Sequence, residues 1–431
     1  MDSQFPRHEL LAAFRFVLSY CAVGPAFDRI HEDCRREFEK HDWSRAYIVA
    51  IGKAAVPMVT EFLERFRVCP DAGVVASPNL VSWADTRFEP FKGGHPAPNE
   101  DSFRAADAAL RMLRGAGPND LVVFLVSGGG SACFELPLLE TVGLDDLIAL
   151  NHLLTGDELN IVEINTIRKH LSRVKGGRLA EPCRGARQVT LYVSDVPEGR
   201  ESFVASGPSM PDDSSLSDMR DIIERYRLES RLPGSVTAAI RSGLVTETPK
   251  PGDVAFSRAS WFKLLDNSDA VRAAVAFATQ AGWRSVVVDG LDDLHPGEVA
   301  QVLVERADRE LHNCELPLAV IAGGELISPI RGRGNGGRNQ AFAIECVERI
   351  ARRPIAVLSA GTDGIDGNSL AAGAVVDGTT LQRSRKMGLD VVRCREESDS
   401  GTFFSALGDQ VVTGATGTNV RDIRIVLAWR Q

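Results

Sequence analysis

Along this chain the apolar residues gather in short unbroken runs: "RAYIVAI" (45–51), "GVVAS" (73–77), "LVVFLV" (121–126), "QVTLYVS" (188–194), "SVVVD" (285–289), "LAVIAG" (318–323), "IAVLSA" (355–360) and "IRIVLAW" (423–429). Runs of this kind, separated by helix-period stretches, are what strands buried on both faces require. The pattern predicts an α/β protein with mainly parallel sheets covered by helices. In "INTIRKHLSRV", Ile164, Ile167, Leu171 and Val174 recur at steps of three or four, which predicts one helix with an apolar face and with Arg168, Lys169, Arg173 and Lys175 mostly off it. The opening "MDSQFPRHELLAAFRFVLSY" predicts an amphipathic helix, because charges interrupt its apolar residues. The polar, proline-bearing segments "SGPSMPDDSSLSD" and "TETPKPGD" read as connections. They place a boundary near residue 240, giving an N-terminal domain over 1–240 and a C-terminal one over 241–431, with the last strand free to return to the first sheet.

Composition narrows the classes. A formal charge of −9 over 431 residues excludes a general affinity for nucleic acid or an anionic membrane. Any anionic ligand must therefore be met by local basic groups. No apolar run approaches the roughly 20 residues of a bilayer-spanning helix, so the expectation is a soluble, cytoplasmic protein. Eight cysteines are scattered without a C-x-x-C pair or a histidine at metal-ligand spacing, which predicts buried reduced thiols and no structural zinc.

Three glycine-rich turns follow strands, where parallel sheets bind their ligands. "SGGGSA" offers the amides of Ser127, Gly128, Gly129, Gly130 and Ser131 as an anion nest. "IGKAAVPM" puts Lys53 at a helix start, a place that disfavours a cation unless an anion is bound there. "PIRGRGNGGRNQAFAIECV" satisfies G-x-G-x-x-G at Gly332, Gly334 and Gly337, but Pro329 and Arg331 spoil the preceding strand, and Arg331, Arg333 and Arg338 crowd the loop. That crowding suits a reacting polyphosphate better than a dinucleotide. Asp363 and Asp366 in "SAGTDGIDGNS", and Ser194 and Asp195 in "LYVSDVPEG", offer carboxylates for Mg²⁺ or for turns. The hydroxyls and glycines of "TGATGTNVRD" suit a phosphate or sugar pocket, and turns equally well. His95 in "KGGHPAPNEDS" is a base by type, but its proline- and glycine-rich loop favours a structural histidine.

Taken in order, "IGKAA", "GGHPAPNEDS", "LVSGGGSACFELP", "EINTIRKHLSRVKGGRLA", "SDV…VASGPSMPD", "GRGNGGRNQ", "GTDGIDG…AAGAVVDG" and "TGATGTNVRD" resemble the class II glycerate kinases, the glycerate 2-kinase family with a C-terminal MOFRL domain. The resemblance implies a Rossmann-like first domain, an active site between two α/β domains, and transfer of phosphate from ATP, with a divalent cation such as Mg²⁺, to the 2-hydroxyl of D-glycerate. It implies catalytic roles for Lys53 and Arg338; Asp195, taken from its own segment rather than from the resemblance, is the candidate base or metal ligand. It makes the 127–131 turn a cradle for phosphate or substrate, with Arg168 or Lys169 meeting the glycerate carboxylate. Nucleotide contacts fall to Gly332, Gly334, Gly336, Gly337, Asn339, Asp363, Thr416, Gly417 and Asn419, with Asp363 also a candidate for metal. A homodimer is compatible with all of this. The chain departs from the family at "SDVPEGRES", "GGELIS" and "NQAF", which bears on nucleotide contacts and metal preference. Two rival readings are an NAD(P)H-dependent hydroxypyruvate reductase and a non-catalytic sensor of a sugar acid or phosphorylated metabolite.

Overall fold

The computed structural model describes residues 5–39, 43–80, 82–156, 159–183, 185–312, 315–329 and 331–430. They form twelve strands: β1 (Ala46–Ile51), β2 (Ala72–Ala76), β3 (Phe88–Phe91), β4 (Leu121–Ser127), β5 (Arg187–Val193), β6 (Ala259–Leu265), β7 (Arg284–Val287), β8 (Leu318–Gly324), β9 (Ile355–Gly361), β10 (Gly373–Asp377), β11 (Gln410–Val411) and β12 (Asp422–Ala428). Every residue of β1, β4, β9 and β12 is buried, as an unbroken apolar run demands of a strand covered on both faces. The α/β class is borne out.

The chain divides into two compact units, Ala26–Leu264 and the described residues of Met1–Pro25 with Leu265–Gln431. The division falls at 264/265, past the expected position near 240. The reason at the N-terminus is the helix Phe5–Tyr20, which packs on the C-terminal part: Phe16 lies 5.8 Å from the Phe277 ring, and Arg7 pairs with Asp377 and Asp409.

In the unit Ala26–Leu264 the strand order is β3-β2-β1-β4-β5-β6, with parallel pairing from β3 through β5. That is the order of a doubly wound sheet, in which the chain changes direction between β1 and β4 and leaves a crevice at their carboxyl ends. The helix Glu100–Leu113 starts on a capping box of Asn99 and Ser102, and the helix Ile161–His170 on one of Asn160 and Glu163. The second helix ends at His170, short of the Val174 predicted by periodicity. Beyond it the Arg173 amide donates to the Leu136 carbonyl at 2.8 Å, and Gly176 and Gly177 take left-handed φ values of 56° and 84°. Pairing across to residues 136–138 and a glycine turn replace further helix. Nor do all of its basic residues stand in solvent: Lys169 and Lys175 are each 1% exposed.

The second sheet runs β11-β10-β9-β12-β8-β7. β7 and β8 pair in parallel, whereas β12 runs antiparallel between β8 and β9, and β10 antiparallel to β9 and β11. The last strand therefore stays in its own unit, because its seven residues are paired along both edges there. Of the seven cysteines described, all free, six are buried and Cys69 is exposed; Cys314 lies outside the described residues. Among the described residues no helix is long and apolar enough to cross a membrane.

Candidate active site

The crevice between β1 and β4 brings two of the glycine-rich turns together. Gly52 follows β1 at φ 108°, and a Cβ there would stand 2.3 Å from the Ser127 carbonyl oxygen, so only glycine permits the approach. The two turns are stitched: Lys53 N donates to Gly128 O at 2.9 Å, Ala54 N to Ser127 Oγ at 3.0 Å, and Ser127 Oγ to Ile51 O at 3.2 Å. Ser127, Gly128 and Gly130 are thereby buried as structure, while Gly129 and Ser131 keep partial exposure. Lys53 is half-buried and its Cγ lies 3.0 Å from where a Gly129 Cβ would stand. Asp195, half-buried, follows β5 at the same end of the sheet.

Around this turn runs a chain of polar contacts. Ser131 Oγ meets Ser206 Oγ at 2.8 Å, and Ser206 Oγ donates to Asn165 Oδ1 at 2.8 Å. Ala205 and Ser206 hold φ of 50° and 61°, a left-handed backbone uncommon outside glycine and concentrated at functional sites. One turn beyond Asn165, Arg168 bonds Asn151 Oδ1, and Asn151 Nδ2 donates to Pro96 O at 3.4 Å. Pro96 follows His95, whose ring returns to Gly129. The circuit encloses Lys53, Gly129, Ser131, Ser206, Arg168 and His95 within one unit.

Arg168 and Lys169, interchangeable in the sequence, are not so here. Lys169 is closed in a pair with Asp212 at 3.0 Å, both side chains 1% exposed, and stacks over Phe203 at 4.4 Å. Arg168 forms no ion pair among the described residues, and burial alone lowers its guanidinium to about 10. A part-buried cation with no anion among the described residues is a ready partner for a carboxylate. Its position in the last turn of the helix, where the dipole favours positive charge, offsets only part of that cost.

The other unit gathers its charges where β8 and β9 end and β12 begins, with Asp422 in register with Gly324 and Gly361. Arg338 opens the helix Arg338–Arg349 and donates to Asp422 Oδ2 and Glu325 Oε1, each at 2.6 Å. Burial works against its charge, but the Asp422 and Glu325 carboxylates outweigh that and hold the guanidinium protonated above the usual arginine range. Asp366 caps the helix, accepting from Asn339 N at 3.0 Å and Gln340 N at 2.8 Å. A carboxylate thus already fills that helix N-terminus. Burial raises the Asp366 carboxyl to about 6 despite those amides.

The glycines of the third turn have packing reasons. A Cβ on Gly332 would stand 2.5 Å from Glu397 O, one on Gly334 2.5 Å from Asp399 Cα, one on Gly336 2.5 Å from Ser400 Oγ and one on Gly337 2.3 Å from Asp366 Oδ1. The loop amides of Arg331, Asn335 and Gly336 are taken by Ser398, Asp399 and Asn368. Asn339 is buried, accepting from Ser359 Oγ at 2.6 Å. Asp363 accepts from Ile365 N at 3.1 Å in a turn, and Thr416 Oγ1 donates to Thr362 O at 2.6 Å. Gly417 turns at φ 77°, and Asn419 Oδ1 accepts from Arg421 N at 3.2 Å. Beside the loop lies a pocket of ≈ 300 Å³ lined by His295, Arg331, Gly334, Gly336, Ile344 and Asn368 among others. Sequence reasoning passed over Asn151, Asn165 and Ser206, which carry no signal of their own until the helix and the "ASGP" turn meet.

A doubly wound sheet with cations at its switch point, joined to a second unit carrying a carboxylate-bound arginine, defines a class of α/β enzymes acting on anionic small molecules. Residues 9–241 match the family described as "Domain of unknown function (DUF4147)", and residues 318–422 match the MOFRL family. The chain is 35% identical over 401 residues to the D-glycerate 2-kinase of Thermotoga maritima, covering 90% of this chain and 92% of that one. It is 36% identical over 394 residues to an Agrobacterium vitis protein carrying a provisional name as a hydroxypyruvate reductase, covering 89% of this chain and 87% of that one. A crystal structure of glycerate kinase from Thermotoga maritima matches with TM-score 0.84 and 32% identity, over 99% of this chain and 100% of that one. The chain belongs to the DUF4147/MOFRL family of glycerate kinases.

Proposed function

We propose that this protein transfers the γ-phosphoryl group of ATP to the 2-hydroxyl of D-glycerate. The observation that carries the reading is Arg168, a part-buried guanidinium with no carboxylate partner among the described residues, on the same circuit as Lys53 and the Gly129–Ser131 turn. Glycerate is small and anionic, and its carboxylate would complete Arg168 through charge-assisted hydrogen bonds. The 2-hydroxyl, on the adjacent carbon, then lies toward Lys53. Phosphoryl transfer depends on positioning and on neutralising the transferring oxygens. Lys53 and Arg338 are the cations assigned to this task, Arg338 exchanging a carboxylate contact for phosphate. The nucleotide takes the pocket beside Arg331, Gly334, Gly336 and Gly337, where the amides of Arg331, Asn335 and Gly336 are already engaged and side chains would supply much of the contact. Mg²⁺ takes one or two carboxylates together with phosphate oxygens and water, and Asp195 offers one. When bound it would neutralise phosphate charge.

The reductase reading fares worse on the same loop. A dinucleotide pyrophosphate needs bare amides and an open helix N-terminus, and Asp366 fills the one after G-x-G-x-x-G. Coupled detection of ADP tests the proposal: ADP release should depend on D-glycerate, and nicotinamide absorbance should not change with hydroxypyruvate. Hydroxypyruvate-dependent oxidation of NAD(P)H without ADP release would reverse the choice.

A further inference from the structure

We infer that His95 is a catalytic residue of this site, accepting the proton of the substrate hydroxyl as the phosphoryl group is transferred. The inference rests on the kinase reading and assigns a base to it. The imidazole is placed by its surroundings. A Cβ built on Gly129 would stand 3.3 Å from His95 Cδ2, 3.5 Å from His95 Nε2 and 3.0 Å from Lys53 Cγ, so histidine and lysine flank one left-handed glycine. Three contacts fix the loop that carries it. Gly93 packs so closely on the helix after the glycine turn that a Cβ would stand 2.1 Å from Cys133 O; Gly94 N is held by Ser102 Oγ at 2.9 Å; and Asn151 Nδ2 reaches Pro96 O at 3.4 Å. The last of these matters most, because Asn151 Oδ1 also bonds Arg168. One asparagine thus sets the spacing between the histidine and the cation proposed to hold the carboxylate.

Unlike His170, which is buried, His95 is exposed and can be reached by a diffusing substrate. In the reaction the 2-oxygen of glycerate forms its bond to the γ-phosphorus while the bond from that phosphorus to the β,γ-bridging oxygen breaks. The hydroxyl proton passes to His95 Nε2 and then to solvent, and ADP departs.

The experiment is steady-state kinetics on His95→Ala and His95→Gln with D-glycerate and ATP, with and without added imidazole. General-base assistance is typically worth about 10² to 10⁴, and a loose transition state puts the expectation at the low end. The expected result is a fall of about 100-fold in kcat for both variants, with the glycerate KM within about threefold, and partial recovery of His95→Ala in imidazole through the exposed site. A kcat within threefold of wild type overturns the inference, as does a loss carried by KM that imidazole leaves unchanged. Circular dichroism and Tm matching wild type secure the comparison. If the wild-type protein releases no glycerate-dependent ADP, the kinase reading fails first; an active wild type with unaffected variants removes His95 alone.

Discussion

Replacing two neighbouring basic residues separates binding from folding in this protein. Arg168→Met removes a guanidinium whose burial is uncompensated by any carboxylate among the described residues. Replacing a desolvated polar group by an apolar one of similar length relieves its desolvation, so stability should hold or rise. The cost should fall on substrate. Hydrogen bonds to charged groups contribute about 1.5–3 kcal/mol, which at 1.4 kcal/mol per tenfold predicts a glycerate KM raised about 10- to 100-fold, with the ATP KM unchanged. Lys169→Met should do the reverse. It strips Asp212, 1% exposed, of its ion-pair partner and leaves a carboxylate whose remaining hydrogen bonds among the described residues come from Ser214 and Thr248. Breaking such a buried pair costs about 3–5 kcal/mol, so a marked drop in Tm is expected. The assay is ADP-coupled kinetics across a glycerate titration, with thermal melts of the same preparations. A glycerate KM within twofold of wild type in Arg168→Met would refute the reasoning, as would a Tm drop there equal to that of Lys169→Met.

Arg338→Ala should lower kcat by about 10³-fold, the scale for an arginine acting on a transferring phosphoryl. It should also lower Tm, since among the described cations Asp422 then keeps Arg424, at 3.3 Å, whereas Arg338→Lys should recover more stability than turnover. Wild-type turnover in Arg338→Ala removes it from the mechanism. The Asp366 carboxyl, raised by burial to about 6, holds its proton more tightly folded than unfolded, where about 3.9 is usual. Its stability contribution is therefore full at low pH and lost as pH rises through 6. Denaturant melts should show wild type gaining on Asp366→Asn between pH 7 and 5, and a difference independent of pH would contradict the assignment.

The sheets were legible because their strands are continuous apolar runs, which periodicity detects. β3, β6, β10 and β11 were not picked out: β3 carries Pro90 and exposed Glu89, β6 shows a half-exposed face, β10 has a three-residue apolar run between Gly373 and Asp377, and β11 holds two residues. The glycine turns announced a site, but not which glycines serve it. Gly52 and Gly129 need positive φ and close approach at the crevice, while the glycines at 332–337 are also required by packing against residues 366 and 397–401, which the motif alone does not show. Helical spacing could not separate Arg168 from Lys169, because which one meets a carboxylate depends on Asp212, 43 residues further along the chain. His95 looked structural for a similar reason: its loop is rigid, yet rigidity is what sets it against Gly129.

Phosphorus NMR on the product of a complete turnover tests the central claim most directly. With ATP and D-glycerate the account predicts ADP and a new monoester resonance split into a doublet by the single proton on carbon 2. A triplet, from the two protons on carbon 3, or no new monoester at all, would contradict it.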